Sequence, residues 1–476
     1  MPDSMGRWSP LVRRWERDDE PGLPIKLGPC SNGEFAPRPT SPAVRRALHV
    51  ARQTCDEAAR RLGMSRRDFL RTTMASAATL LALGACSDDD SPSAGTFDLP
   101  PESTTEPEVA TSILGGDGQP IVDVQQHLLE LDGYQGSFGS TFPQAACGDG
   151  QACFDTAHWL DLVFERSDTT MVVLSAIPVL GDPDPLSAEV MDAARRAADE
   201  LCGDGRVLVQ GHAQPNVGSV EAALDAMRAE AERYDLAAWK AYTHVGSAWR
   251  LDDQLGEAFL ALVEEIGPPI VCVHKGLGSD PVDVGPAAAA HPDITFVAYH
   301  SGHEVGATEG VYEPGAPNGG VDRLLESLRK AGIGPGGNVY AELGSTWRNL
   351  MGDPDQAAHL LGKLIAALGQ SNVLWGTDSI WYGSPQDQIE AFRALEITAE
   401  AQERFGYAAL TPDIKAGILA GNAARLYGID PATAPCGSSA EDKQALRADP
   451  PSPDVLLGPD TASEARRVFA ADHPWF

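Results

Sequence analysis

The chain has 476 residues, a hydrophobic fraction of 43%, enough for a large core, and a formal net charge of -32. Residues 1–85 carry 14 Lys/Arg against 9 Asp/Glu, a balance of +5, and the remainder carries 22 against 59, a balance of -37. A surface that negative repels phosphate backbones and argues against nucleic acid as a partner; the absence of a CxxC pair among the eight cysteines argues against a structural zinc ribbon.

The first local signal is Ser65-Arg66-Arg67-Asp68-Phe69-Leu70-Arg71, which resembles a twin-arginine export motif. The apolar run Met74–Ala85 follows it. That run is shorter than the roughly 20 residues a permanent membrane span needs and reads as a signal-peptide core. It ends in Leu83-Gly84-Ala85-Cys86, which is similar to a lipobox. The resemblance implies acylation of Cys86, cleavage before it, and a membrane-anchored lipoprotein facing the periplasm or the cell exterior. The alternative is a buried helix preceded by a chance Arg-Arg pair. On the export reading, residues 1–85 are an n-region and signal peptide, set apart from the fold.

Residues 86–118 are rich in Asp, Ser, Pro, Thr and Glu and predict a flexible acidic tether. In an oxidising compartment Cys147 and Cys153 are close enough in sequence to form a disulfide. Cys272, inside an apolar run, reads as a buried free thiol.

From about residue 120 to 380, eight short apolar runs read as strands: Ile121–Val124, Thr170–Ile177, Val207–Gly211, Ala237–Ala241, Pro269–Val273, Thr295–Tyr299, Val339–Leu343 and Val373–Gly376. Between them Ser219–Tyr234, Leu255–Ile266 and Gly320–Ala331 carry apolar residues at helical spacing. Eight strands alternating with helices predict an α/β fold of the (β/α)8 TIM-barrel class over residues 119–429, with 430–476 as a C-terminal extension. An open doubly wound sheet is the alternative. It would usually show a Gly-rich phosphate turn after its first strand, where this chain has Asp123-Val124-Gln125-Gln126-His127.

In such a barrel, functional residues stand at the C-terminal ends of the strands. His127, His212, His244, His274, His300 and His303 follow the first, third, fourth, fifth and sixth runs, and Asp378 follows the eighth. Imidazoles and a carboxylate converging on one mouth suit a divalent cation.

The segments around His127, Val273-His274-Lys275-Gly276, Ala298-Tyr299-His300-Ser301-Gly302 and Trp375-Gly376-Thr377-Asp378-Ser379 occur in the order of the amidohydrolase-related family. Gly421-Asn422-Ala423-Ala424-Arg425-Leu426-Tyr427 is similar to its closing helix. That group of metal-dependent hydrolases includes the aminocarboxymuconate-semialdehyde decarboxylase type, and the match spans about 120–428. The resemblance implies His127, His274 and Asp378 as metal ligands, and His300 and Asp378 as the catalytic pair. One divalent ion is expected, Zn2+ first and Mn2+ second. The sequence departs where the family places the first histidine of His-x-His: Gln125 stands there, a neutral and weaker donor. It coordinates the ion, holds a water, or marks a lost site.

Lys240, at the end of the fourth run, is a candidate contact to a substrate anion or a bridging group of a two-metal centre. Glu342 and Trp347 are candidate substrate-binding residues, Glu342 alternatively orienting a ligand. The implied function is hydrolysis of a small organic substrate through metal-activated water, the cation lowering the pKa of water to about 7. Non-oxidative decarboxylation of a carboxylated or aromatic substrate is an alternative, and a non-catalytic ligand-binding barrel lipoprotein is another. Expected partners are a small-molecule substrate and the membrane through Cys86, with self-association into a homo-oligomer left open.

Overall fold

The computed structural model describes residues 22–28, 32, 34–35, 40–86, 93–132, 154–178, 184–431 and 436. Ten strands are named in chain order. β1 (Gly95–Phe97) pairs antiparallel with β10 (Leu395–Ile397). The other eight are β2 (Val122–Gln126), β3 (Met171–Leu174), β4 (Val207–Ala213), β5 (Leu236–Tyr242), β6 (Ile270–His274), β7 (Thr295–Tyr299), β8 (Val339–Glu342) and β9 (Val373–Leu374). They run in sequential parallel order. The ring closes between its ends where Val124 N donates to Trp375 O at 3.0 Å, Asp378 N to Gln125 O at 3.0 Å and His127 N to Ser379 O at 2.7 Å. The fold is therefore the expected (β/α)8 barrel, each predicted run overlapping one of β2–β9.

Strand alternation sorts the side chains into two layers. Val122, Val124, Met171, Val173, Ala238, Cys272, Val297, Tyr299 and Leu374 form one apolar cluster, with Ala420 and Ala423 of the closing helical segments packed against it. Residues of opposite parity, such as Trp239, Val271, Val273 and Phe296, belong to the larger cluster shared with the helices. The same parity that sends Cys272 inward sends His274 inward two residues later. Cys272 is buried with a free thiol.

The region before the barrel differs from its expectation. Helix α1 (Pro42–Leu62) is capped by Ser41, whose hydroxyl accepts from Val44 N, and ends at Gly63 in the left-handed region. After the short helix α2 (Arg66–Phe69), helix α3 (Thr73–Ala85) carries the apolar run. Its Met74, Ala75, Ala77, Ala78, Leu80 and Leu83 are buried in the main core. Alanines on both partners, among them Ala51 and Ala58 of α1, let the two helices approach closely. Arg66 pairs with Asp56 of α1 at 3.3 Å. Cys86, half-buried, follows α3 and has a free thiol. The run is thus built into the folded body.

The tether is corrected from residue 93 onward. β1 joins the two-stranded sheet, Ala94 N donates to Asp355 Oδ1 at 2.6 Å, and helix α4 (Pro107–Leu114) packs on α3. Apolar residues at Ala94, Phe97, Leu99, Ala110 and Leu114 suffice to dock a stretch whose composition is otherwise polar. Cys147 and Cys153 lie outside the described residues. A disulfide joins Cys202 to Cys436 and ties the C-terminal extension to the helix Ala188–Cys202. Among the described residues no helix is long and apolar enough to cross a membrane.

Candidate metal centre

The C-terminal ends of β2, β6, β7, β8 and the turn after β9 bring Gln125, His127, His274, His300, Glu342 and Asp378 into one buried cluster, none of them more than 1% exposed. Five residues at or just past these strand ends hold positive φ without being glycine: Leu277 (47°), His300 (59°), Ser301 (51°), Ser345 (54°) and Asp378 (56°). Non-glycine residues seldom enter that region, and such strain concentrates at functional sites.

The hydrogen bonds fix the imidazole tautomers. His127 Nδ1 lies 2.7 Å from the Ser175 carbonyl, so it donates there and turns Nε2 toward Asp378 Oδ1 at 3.0 Å. His300 Nδ1 donates to the Gly344 carbonyl at 2.8 Å. Its bare Nε2 then accepts from His274 Nδ1 at 3.1 Å. His274 Nε2 is left buried with a free lone pair and no hydrogen-bond partner. Burial lowers the basicity of His274 and brings that of His300 to about 4, so both rings are neutral near pH 7.

Asp378 is the opposite case. Burial pushes its carboxyl up, but the His127 bond, the nearby His300 and His127 rings and the Ser345 hydroxyl outweigh that and hold it below its ordinary value. Its Oδ1 also accepts from Gln125 Nε2 at 3.1 Å. His127 Nε2 thus stands 3.0 Å from that carboxylate oxygen and 3.4 Å from Gln125 Nε2, so the three side chains converge on one point of the site. Gln125 Oε1 is buried without a partner as well. Orphaned acceptors on Gln125 and His274, beside an Asp–His pair, fit a divalent cation.

Two residues missed by the sequence analysis complete the cluster. Asn32 Nδ2 donates to Asp378 Oδ2 at 3.0 Å, and Glu34 Oε1 lies 3.7 Å from His274 Nδ1. Burial, and next the charge of Asp378, raise the Glu34 carboxyl to about 8. Both residues fall in the stretch set apart as a leader, and no motif marks them. Among the described residues, the set of three metal-binding side chains whose donor atoms all lie within 4.8 Å of one another is Glu34, His244 and His274. It shares His274 with the expected trio, while His127, His274 and Asp378 do not themselves bring three donor atoms within that distance. Ser345, whose hydroxyl bonds both Asp378 Oδ2 and Tyr382 at 2.6 Å, was also not foreseen.

The substrate-binding candidates divide. Glu342 turns both oxygens to backbone, accepting from His300 N at 2.9 Å and from Gly344 N, so it orients the His300 turn instead of facing a substrate. Its carboxyl is raised to about 8 by burial. The glycines beside it are required by space: a Cβ on Gly376 would stand 1.8 Å from Glu342 Oε1, and one on Gly344 2.4 Å from Gln125 Oε1. Trp347 is a core residue; its Nε1 donates to Gln388 O at 2.9 Å and its ring meets Phe392 edge-on at 5.3 Å. Trp381 does line the site, stacked on His127 at 5.5 Å. Lys240 is fully buried, with Nζ 3.6 Å from the centre of the Tyr299 ring and no hydrogen-bond partner. Burial lowers its ammonium to about 8.

His212 and His303 are not in the cluster. His212 pairs with Asp184 at 3.2 Å, and His303 with Glu309 at 2.6 Å.

A barrel with imidazoles and a carboxylate at its strand ends is the plan of the amidohydrolases, and the sequence agrees. Residues 122–429, more than half of the chain, match the family model described as Amidohydrolase, and the chain belongs to that family. It is accordingly an enzyme of the amidohydrolase superfamily.

Similar solved structures include an uncharacterised TIM-barrel protein, Bb4693, from Bordetella bronchiseptica. It is 15% identical over 65% of this chain and 98% of that one, with a TM-score of 0.42. The 5-carboxyvanillate decarboxylase LigW from Sphingomonas paucimobilis is 14% identical over 66% and 100%, at 0.40. A 2,6-dihydroxybenzoate decarboxylase from Rhizobium is 14% identical over 65% and 99%, also at 0.40. No curated protein matches the chain.

Proposed function

We propose that the protein is a metal-dependent hydrolase of a small organic molecule, with His127, His274 and Asp378 holding a divalent cation and Gln125 adjoining them. The observation that carries this reading is the buried His127 Nε2–Asp378 Oδ1 contact of 3.0 Å, beside the buried and unpartnered His274 Nε2 and Gln125 Oε1. A bound divalent cation supplies Lewis acidity and lowers the pKa of water to about 7.

The chain's own residues supply the rest. Asp378 is held ionised and can take a proton through Oδ2, from which Ser345 carries a hydroxyl path to Tyr382. His300, neutral and fixed through Nδ1 to Gly344 and through its backbone amide to Glu342, orients the His274 ring with Nε2. Burial of the whole cluster strengthens each of these electrostatic contacts relative to water.

Decarboxylation is the second reading, and Lys240 is the observation that favours it. A buried ammonium without a hydrogen-bond partner is a ready counter-ion for a substrate carboxylate. One experiment separates the two. Metal-depleted protein is reloaded with Zn2+ or Mn2+ and assayed against simple amides, esters and lactones, and against hydroxylated benzoates. Metal-dependent acid release from the first group supports hydrolysis, and metal-dependent carbon dioxide release from the second supports decarboxylation. Inactivity of the reloaded protein toward both groups argues against either reading.

A further inference from the structure

We propose that the N-terminal segment supplies a ligand to the metal centre: Glu34, together with His244 and His274, binds the divalent cation from outside the barrel. The inference deepens the metal-dependent reading above and rests on it.

Three observations carry it. The donor atoms of Glu34, His244 and His274 lie within 4.8 Å of one another. His244 Nδ1 and His274 Nε2 are both buried nitrogen atoms without a hydrogen-bond partner, and their rings stack with centroids 4.5 Å apart. The segment itself is anchored: Ile25 and Leu27 enter the main core, Lys26 N donates to Asp387 Oδ2 at 3.0 Å, and Asn32 bridges Glu34 Oε2 at 2.5 Å and Asp378 Oδ2 at 3.0 Å. Glu34 is therefore tied to the site through Asn32 and the anchored stretch before it.

The chemistry gives the arrangement a reason. Two imidazoles and one carboxylate form a donor set suited to Zn2+ and its first-row neighbours. The barrel's first strand offers Gln125, a weaker donor than the imidazole the family places there, so a carboxyl oxygen from the N-terminal segment adds a stronger donor to the set. Glu34 lies between the two halves of the site, with Oε1 3.7 Å from His274 Nδ1 and Oε2 joined through Asn32 Nδ2 to Asp378 Oδ2.

The test uses the full chain, stripped of metal and titrated with Co2+ for its visible absorption and with Zn2+ by equilibrium dialysis. Glu34→Gln, which keeps size and removes charge, and His244→Ala are each expected to weaken Co2+ and Zn2+ binding at least tenfold and to alter the Co2+ spectrum. Glu265→Gln, an exposed carboxylate paired with Arg228, serves as the control, and circular dichroism confirms that each variant is folded. If both site variants bind as the parent chain does, Glu34 is no ligand while the metal-dependent reading stands. If the parent chain itself binds neither ion, both fall together.

Discussion

Asn32 and Asp378 stand 346 residues apart in the chain, and the side-chain amide of the first donates to the carboxylate of the second at 3.0 Å. The contact joins a segment that precedes every barrel strand to the turn that follows the last. Helices α1 and α3 of the same region are packed in the main core.

A chain beginning at Cys86 is therefore expected to fold poorly. It loses α3, whose Met74, Leu80 and Leu83 are each worth about 1.5–3 kcal/mol when buried. It also exposes the faces of α4 and β1 that α3 covers. Set against a typical stability of about 5–15 kcal/mol, the loss is large. Thermal unfolding of the truncated chain should show no cooperative transition or a greatly lowered one. Intact mass of the protein from cells should include residues 22–85. A truncated chain that melts like the full one, or a cellular form starting at an acylated Cys86, would restore the leader reading.

Glu342 accepts from two backbone amides and holds the His300 turn. Glu342→Gln places an NH2 group where one of those amides donates. An expected cost of about 1–3 kcal/mol follows from the amide left unpaired. Because Glu342 positions His300 and does not meet substrate, kcat should fall more than KM changes. A rise in KM alone would assign it to substrate binding.

Lys240→Met removes a buried charge while keeping much of the side-chain volume. The melting temperature should hold or rise, since an ammonium without a hydrogen-bond partner is costly to bury. KM for a carboxylated substrate should rise about tenfold or more, the worth of a charge-assisted hydrogen bond of about 1.5–3 kcal/mol. Unchanged KM for such substrates would remove the counter-ion role.

Away from the site, Glu309 is buried between His303 and Lys363, and Lys363 also meets Asp322 at 2.6 Å. Burial raises the Glu309 carboxyl, but the His303 bond and the Lys363 charge prevail and hold it below its ordinary 4.5. A depressed carboxyl stabilises the fold above its unfolded pKa and loses that contribution as pH falls through its folded value. Stability should accordingly decline below about pH 4.5. Glu309→Gln should flatten that acid limb in denaturant titrations run at several pH values. An unchanged limb would assign the acid loss to other carboxylates.

Much of the barrel was legible because parallel strands buried on both faces read as short apolar runs. His127, His274, His300 and Asp378 were legible by position, at strand ends that a barrel brings together. Glu342 and Trp347 sit at the right strand end too, but what each side chain meets there depends on neighbours such as Gly344 and Phe392, which spacing does not reveal. Asn32 and Glu34 were invisible because they reach the site through a long-range fold-back with no periodic signal. The run in α3 is ambiguous for a related reason: an Ala- and Leu-rich helix core has the same composition whether a membrane machinery or a neighbouring helix covers it. The Cys202–Cys436 pairing was not legible because the two lie 234 residues apart in the chain.

The most direct test of the central claim is elemental analysis of the purified full chain after growth with both Zn2+ and Mn2+, alongside His274→Ala. About one divalent ion per chain is expected in the parent protein, since every proposed ligand set includes His274, and much less in the variant. A parent chain free of both metals, or a variant that retains the ion in full, would contradict the account.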